Sequence, residues 1–204
     1  MDVERVSRAG AGSASNAYLV DGRRPTLVDA GTDPDVVEAL RDRVDELAAV
    51  IVTHGHWDHV DQLPAVVEAF DPRVYAFGPV EGRTDPLVDG QVLAVGDAEV
   101  EVVHTPGHAR DHVVLLGAVS VFTGDIVVYN DAAFDDGSFG RTDLDGADRE
   151  TLIDSVERLV ELLPDGTAAM YPGHGEPHRG DVRAVVQRAL ERAQRFEPKY
   201  PEEN

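Results

Sequence analysis

The chain has no cysteine. Disulfide frameworks and thiolate metal sites are therefore excluded, and any metal it holds must be bound through nitrogen and oxygen. Lysine is almost absent too: of the 18 basic residues only Lys199 is a lysine. Uninterrupted apolar runs are short, none nearing the roughly 18 residues that a membrane-spanning helix requires. The opening "MDVERVSRAGAG" is too charged and too poor in Leu and Ile for a secretory leader, so a cytoplasmic location is expected. No linker, low-complexity tract or internal repeat divides the sequence, and a single domain over residues 1–204 is expected.

What the chain has in excess is acid. Against its 18 basic residues stand 39 Asp and Glu, a net charge of −21. That field repels nucleic acid and anionic membranes, and neither is expected as a partner. The acids are scattered through segments such as "DPDVVEALRDRVDEL" rather than clustered, as on a solvated surface whose self-repulsion is screened in high salt. The composition resembles that of cytosolic proteins from extreme halophiles. An apolar fraction of 42% is ample for a globular core.

Periodicity gives the elements. "NAYLV" (16–20) and "TLVDAG" (26–31) read as strands around an Asp21-Gly22 turn. A helix follows, with Asp33 as N-cap, Pro34 in its first turn and Val36, Val37, Leu40, Val44 and Leu47 on one face. "AAVIVT" (48–53) is continuously apolar, as a strand covered on both faces should be. Next come a helix from about Gln62 to Phe70 and a strand, "RVYAF". "QVLAV", "AEVEVVHT", "HVVLLG" and "VSVFTG" form a meander of short strands. After an irregular loop over 129–146, a helix beginning near Ala147 presents Leu152, Ile153, Val156, Leu159, Val160 and Leu163. A strand, "TAAMY", and a helix from 181 to about 195 close the order. The expected fold class is α/β: an αββα four-layer sandwich of two mixed sheets flanked by helices.

The chemistry gathers where buried strands end. "VIVT" runs into His54-Gly55-His56-Trp57-Asp58-His59, "EVVHTPG" into His108, "VFTG" into Asp125, and "AMYPG" into His174. Loops at strand ends are where α/β scaffolds place sites, and His and Asp are the donors that zinc, iron and manganese accept. Histidine numbers 8 in 204 residues, yet three fall between positions 54 and 59. A solvated turn gains nothing from such a cluster, so a metal site is expected.

The ordered string T-H-x-H-x-D-H, T-P-G-H, T-G-D and Y-P-G-H-G, spread over roughly residues 16–176, resembles the metallo-β-lactamase superfamily. That resemblance implies the αββα fold and two divalent metal ions, zinc foremost, with iron or manganese as options. It implies that His54, His56 and His108 hold one ion, that Asp58, His59 and His174 hold the other, and that Asp125 bridges them. Asp58 and Asp125 would be the catalytic carboxylates, Asp58 also orienting the nucleophile. Asp29 stands where the family has a carboxylate behind a ligand histidine, and His104 where it has a structural one. Roles for His112 and His178 are left open, and Asp61 is expected as a solvated loop or helix-cap residue.

A bridging Asp at 125 departs from the antibiotic-hydrolysing branch. The piece "GRTDLDGAD" is similar to one in glyoxalase II-like proteins, in which Arg141 and Asp143 would pair beside the site. The resemblance then implies hydrolysis of a small thioester to an acid and a free thiol. Two departures leave the thiol open: thirty residues follow His174, room for one helix where glyoxalase II has a glutathione-binding helical domain, and the 129–139 connection is longer than usual. The alternative is a persulfide dioxygenase with one iron on His54, His108 and Asp125. A nuclease is disfavoured by the charge. A binding module is disfavoured by seven intact ligand positions. Oligomeric state is not readable, a homodimer being one option.

The acid excess makes one physical prediction. Raising KCl from about 0.1 M to about 2 M, which shortens the screening length severalfold, should raise the melting temperature; an unchanged melting curve would contradict the salt-adapted reading.

Overall fold

The computed structural model of the chain describes residues 1–8, 14–131 and 134–195. Its first sheet runs in sequence order: β1 (Asp2–Arg5), β2 (Tyr18–Asp21), β3 (Thr26–Val28), β4 (Ala49–Val52), β5 (Arg73–Ala76) and β6 (Asp85–Pro86). The pairs β1–β2 and β2–β3 are antiparallel, and those from β3 to β6 are parallel. The second sheet is built from β7 (Val92–Val95), β8 (Ala98–His104), β9 (Val113–Gly117), β10 (Ser120–Gly124), β13 (Ala169–Pro172) and β14 (His178–Arg179). Its order is β14-β13-β10-β9-β8-β7, with β10 and β13 parallel and the rest antiparallel. A small ribbon pairs β11 (Val127–Val128) with β12 (Ser138–Phe139).

Alternation along the strands builds the layers, because successive side chains point to opposite faces. On β4, Val50 and Val52 join Leu40 of α1 (Val36–Arg41) and Leu63 and Val66 of α3 (Leu63–Phe70) in one cluster. Ile51, between them, joins Tyr18, Val28, Val102, Leu115 and Phe122 in the cluster between the sheets. On the far side Val103, Val114 and Met170 meet Leu152, Val156 and Leu159 of α4 (Arg149–Leu162) and Val182, Val186 and Ala189 of α5 (Val182–Arg195). Three apolar interfaces thus separate four layers, which is the expected αββα sandwich with two mixed sheets. No helix among the described residues is long and apolar enough to cross a membrane.

The last layer also braces a loop of the site. Asp148 caps α4 by accepting the Thr151 N–H at 2.7 Å, and its own N–H donates to the Gly107 carbonyl at 2.7 Å. Ser155 donates to the Pro106 carbonyl at 2.6 Å. Gly107 has φ +131° and lies so close to Leu152 that any side chain there would collide with the helix. The first turns of α4 therefore fix the Thr105-Pro106-Gly107-His108 loop.

Several expectations are corrected. Asp33 does not cap α1: its carboxylate accepts the N–H groups of Asp35 at 3.0 Å and Arg8 at 2.7 Å, and the helix starts only at Val36. It also ends early, at Arg41, because the chain tightens into a turn in which Arg43 and Val44 both donate to the Leu40 carbonyl. The Arg43 side chain takes the Ala39 carbonyl at 2.7 Å and pairs with Glu4. Val44 and Leu47 are buried all the same. The 129–146 loop includes strand β12; its Ala132 and Ala133 lie outside the described residues, as does the tail after Arg195. Strands β1, β6, β11 and β14 and the short helix α2 (Trp57–Val60) had no clear sequence signal.

Leu152 is fully buried and sits where the third interface meets the braced loop. Leu152→Ala should cost about 2–5 kcal/mol, read as a lower urea midpoint at unchanged slope.

Candidate metal centre

Five strand ends of the two sheets feed one edge of the sandwich. Asp29 follows β3, Thr53 and His54 follow β4, His108 lies on the loop after β8, Asp125 follows β10, and His174 follows β13. Asp29 has φ +56°, a conformation Asp tolerates better than most residues. There its carboxylate accepts the Thr53 N–H at 2.7 Å, the Thr53 hydroxyl at 2.8 Å and the His59 Nδ1–H at 2.8 Å. Since the Thr53 hydroxyl spends its proton on Asp29, its oxygen accepts from His54 Nδ1 at 3.1 Å. Similarly, His108 Nδ1 donates to the Arg141 carbonyl at 2.8 Å. Both rings then turn Nε2 lone pairs inward.

Those lone pairs meet a third. His56 Nδ1 lies 3.1 Å from His54 Nε2 and 3.0 Å from His108 Nε2. With the protons of His54 and His108 committed on the far side, at most the one proton of His56 is left among three nitrogens at this spacing, and it cannot satisfy them all. They surround a point, as ligands surround a cation. Beside them stands a second group: His174 Nε2 is 3.0 Å from Asp58 Oδ2, and His59 Nε2 is 3.9 Å from the same oxygen. Asp125 reaches both groups, with Oδ2 3.4 Å from His108 Nε2 and 3.3 Å from His174 Nε2, and Oδ1 3.4 Å from His59 Nε2. The sets His54–His56–His108, His54–His59–Asp125 and Asp58–His59–His174 each bring three donor atoms close enough for one ion. His59 Nε2 and Asp125 Oδ1 are buried with no hydrogen-bond partner. Buried polar atoms are rarely left so, and a cation between them would satisfy both. The residues present fit the group.

Electrostatics divides the two sets. Burial pushes His54 well below the ordinary histidine range, lowers His56, and takes His108 down to about 4. At His59 and His174 burial acts the same way but is outweighed, at His59 by the Asp125 and Asp29 carboxylates and at His174 by Asp125 and Asp58. His59 ends well above the ordinary range and His174 at about 9. For Asp125 burial is outweighed by His174 and His59, which hold it well below the usual carboxylate range; Asp58 is lowered too, its His174 hydrogen bond overcoming burial.

Some contributors escaped sequence reasoning. Asn16, the first residue of "NAYLV", clamps the His174 loop: its Nδ2 donates to the Pro172 carbonyl at 2.9 Å and the Gly175 carbonyl at 3.0 Å, and its N–H to the Gly173 carbonyl at 2.7 Å. Tyr18 adds a hydroxyl bond to Pro172 at 2.9 Å. Gly173 leaves room for its neighbours, since a Cβ there would lie 2.6 Å from the His59 ring and closer still to Asp125. His112 is fully buried; its Nε2 accepts the Asp125 N–H at 3.0 Å, so Nδ1 carries the proton and bonds Thr105 Oγ1 at 2.8 Å. A single buried histidine in the sequence carries no signal for such a role.

Other expectations resolve plainly. His104 accepts no ligand role: it stacks on Phe77 at 4.1 Å and bonds the Arg110 carbonyl at 2.9 Å. His178 lies on β14 against Tyr129 at 4.5 Å, outside all three donor sets. Arg141 and Asp143 pair at 2.8 and 2.5 Å, yet the atom of Arg141 that touches the site is its carbonyl. Asp61 is exposed at the end of α2, bonded to Gln62.

The profile of the Metallo-beta-lactamase superfamily matches residues 10–84 and 76–174. The hydroxyacylglutathione hydrolase of Tolumonas auensis is 32% identical over 163 residues, 76% of this chain and 59% of that protein. The atrochrysone carboxyl ACP thioesterase nsrC of Aspergillus novofumigatus is 32% identical over 172 residues, 79% of this chain and 49% of that one. The matched part of the chain thus spans only about half the length of these curated relatives. Among solved structures, TTHA1623 in a di-iron-bound form is similar with a TM-score of 0.71 and 28% identity, covering 93% of this chain and 98% of that one.

The unequal protonation of the two sets is testable. A ligand histidine must give up its proton to bind, so binding at Asp58–His59–His174 should strengthen as pH rises towards about 9, the value at His174. Binding at His54–His56–His108, whose rings are neutral at pH 7, should stay flat there. Calorimetric zinc titration in buffers of different ionisation enthalpy should show about two protons released on full loading, roughly none of them with the first ion; equal release at both steps would contradict the assignment.

Proposed function

The chain belongs to the metallo-beta-lactamase superfamily, and on that premise we propose that it is a metal-dependent hydrolase of small thioesters. His54, His56 and His108 would hold one divalent ion, Asp58, His59 and His174 a second, with Asp125 shared between them. Zinc is the first choice for N/O donors, with iron and manganese compatible with the same set. Bound in such a site, these ions supply Lewis-acid polarisation of a carbonyl and a lowered pKa for water.

The residues of the chain do the rest. Asp58 stays ionised; the oxygen beside His174 would bind the second ion, which leaves the other carboxylate oxygen to accept a proton from an attacking water and hold it in line. Asp29 and Thr53 behind His59 and His54, and the Arg141 carbonyl behind His108, fix which nitrogen each ring presents. Attack on a thioester carbonyl forms a C–O bond and breaks the C–S bond, giving a carboxylic acid and a free thiol. The observation that carries the reading is the pair of orphaned buried atoms, His59 Nε2 and Asp125 Oδ1. Both face the second set, which favours two ions and hydrolysis over oxygen chemistry at one iron. The Gly-Arg-Thr-Asp piece after Asp125 and the names of the two curated relatives support a thioester as the bond. A net charge of −21 favours a small molecule over nucleic acid or membrane as partner.

Metal analysis of the purified protein, combined with a panel of thioesters and a free-thiol assay, tests this. About two metals per chain and thiol release are expected. Asp125→Asn and His56→Ala should each cut turnover by at least about a hundredfold, more than the loss of an outer hydrogen-bond partner costs. One iron per chain, oxygen consumption on a persulfide and no thioester cleavage would replace the hydrolase with a dioxygenase.

A further inference from the structure

Four of the seven histidine and aspartate groups around the proposed ions are braced through the side chain or the backbone in ways already described. His54 is backed by Thr53, His59 by Asp29, His108 by the Arg141 carbonyl, and Asp125 by His112 at its own N–H. Two histidines have no hydrogen bond on the far ring nitrogen among the described residues: His174 and His56. For His174 the deficit is met by Asn16, which clamps its loop through three backbone carbonyls. A half-buried His56 on an unbraced loop would swing, and its Nδ1 would lose the spacing of about 3 Å to its two neighbours.

We infer that Asp111 is the positioning residue for His56, holding the His54-Gly55-His56 turn through the Gly55 amide. Asp111 Oδ2 accepts the Gly55 N–H at 3.0 Å, midway between two ligands of the first set. The space around this carboxylate is shaped for it by glycines of two other loops. A Cβ on Gly78, after β5, would lie 2.7 Å from Asp111 Cβ and 2.8 Å from its Cγ, and a Cβ on Gly55 would lie 3.1 Å from Oδ2. Gly78 does not need its freedom for conformation, since its φ lies outside the left-handed region; what the missing side chain provides there is room. Asp111 also sits next to His112, so one stretch from 108 to 112 contributes a ligand, the brace of the His56 turn and the brace of Asp125.

This inference rests on the metal-centre reading above, and the test separates the two. First-site affinity is read by titrating the metal-free protein with cobalt(II) and following its visible absorption, alongside hydrogen exchange of the Gly55 amide in the metal-free state. Asp111→Ala should weaken the first ion about tenfold or more, as loss of an outer-shell brace does, and should speed Gly55 exchange while leaving the β4 amides unchanged. Asp111→Asn keeps an oxygen acceptor and should stay within about threefold of wild type in affinity, a loss well below that of an outer-shell deletion. Gly78→Ala keeps the carboxylate in the sequence but displaces it in space, and should reproduce Asp111→Ala; the double variant should be no worse than either single one, because both act on the same contact. Wild-type affinity and Gly55 protection in Asp111→Ala, or additive losses in the double variant, would overturn the inference while leaving the metal centre intact. A wild-type protein that binds no cobalt at all would overturn both.

Discussion

Everything at the active edge depends on holding imidazole lone pairs about 3 Å apart inside the protein, an arrangement that is unfavourable until a cation fills it. Of the rings, only His54 is held by its chain neighbour, Thr53. The other braces are groups that the structure recruits from distant segments. Asp29 comes from the end of β3, Arg141 from the long loop, His112 from the start of β9, and Asn16 from the approach to β2. The ligand cluster is therefore only the visible centre of a wider hydrogen-bonded frame. Precision in the centre is a property of that frame.

The frame in turn needs rigid anchors, and the layering supplies them. The strands that deliver His54, Asp125 and His174 are buried on both faces, so sliding any of them would expose apolar surface at about 25 cal/mol per Å². The loop carrying His108 has no strand directly beneath it, and α4 takes that role by capping onto Gly107 and packing Leu152 against it. Helix α5 presses on α4 and the β11–β12 ribbon from outside. Packing far from the chemistry thus becomes geometry within it.

Much of this was legible in the sequence, because it rests on patterns of short range. The His54–His59 string, the continuous apolar run of β4 and the amphipathic face of α4 each declare themselves within a dozen residues. The frame does not. Asn16 reaches carbonyls more than 150 positions away, His112 binds an amide 13 positions on, and Asp111 one 56 positions back. Such pairings leave no periodic trace, and each partner alone reads as an ordinary polar residue. Strand β1 was missed for a related reason: its "DVER" side chains are half-exposed, and only pairing with β2 makes it a strand. The overlong α1 shows the opposite failure. Val44 and Leu47 kept the helical spacing and the burial, but Arg43 took a helix carbonyl for its own side chain and the chain turned away.

The near-absence of lysine fits the same logic of fixed geometry under heavy negative charge. Where the chain needs a cation inside its frame, it uses the planar donor fork of arginine, which can serve several acceptors at once. Arg183 takes the Val160 and Leu163 carbonyls at 2.6 and 2.5 Å and so closes the end of α4, and Arg192 ties α5 to Asp136 and Gly137 beside β12. The first pair of bonds joins the two outer helices to each other, and the second joins α5 to the segment that leads into β12. The acid excess lies elsewhere, on exposed helix and loop positions where water and salt can solvate it. Charge is thereby sorted by function: acids on the surface answer to the solvent, arginines between elements hold the layers, and at the active edge the few carboxylates that are buried answer to histidines and to the ions those histidines are arranged to receive.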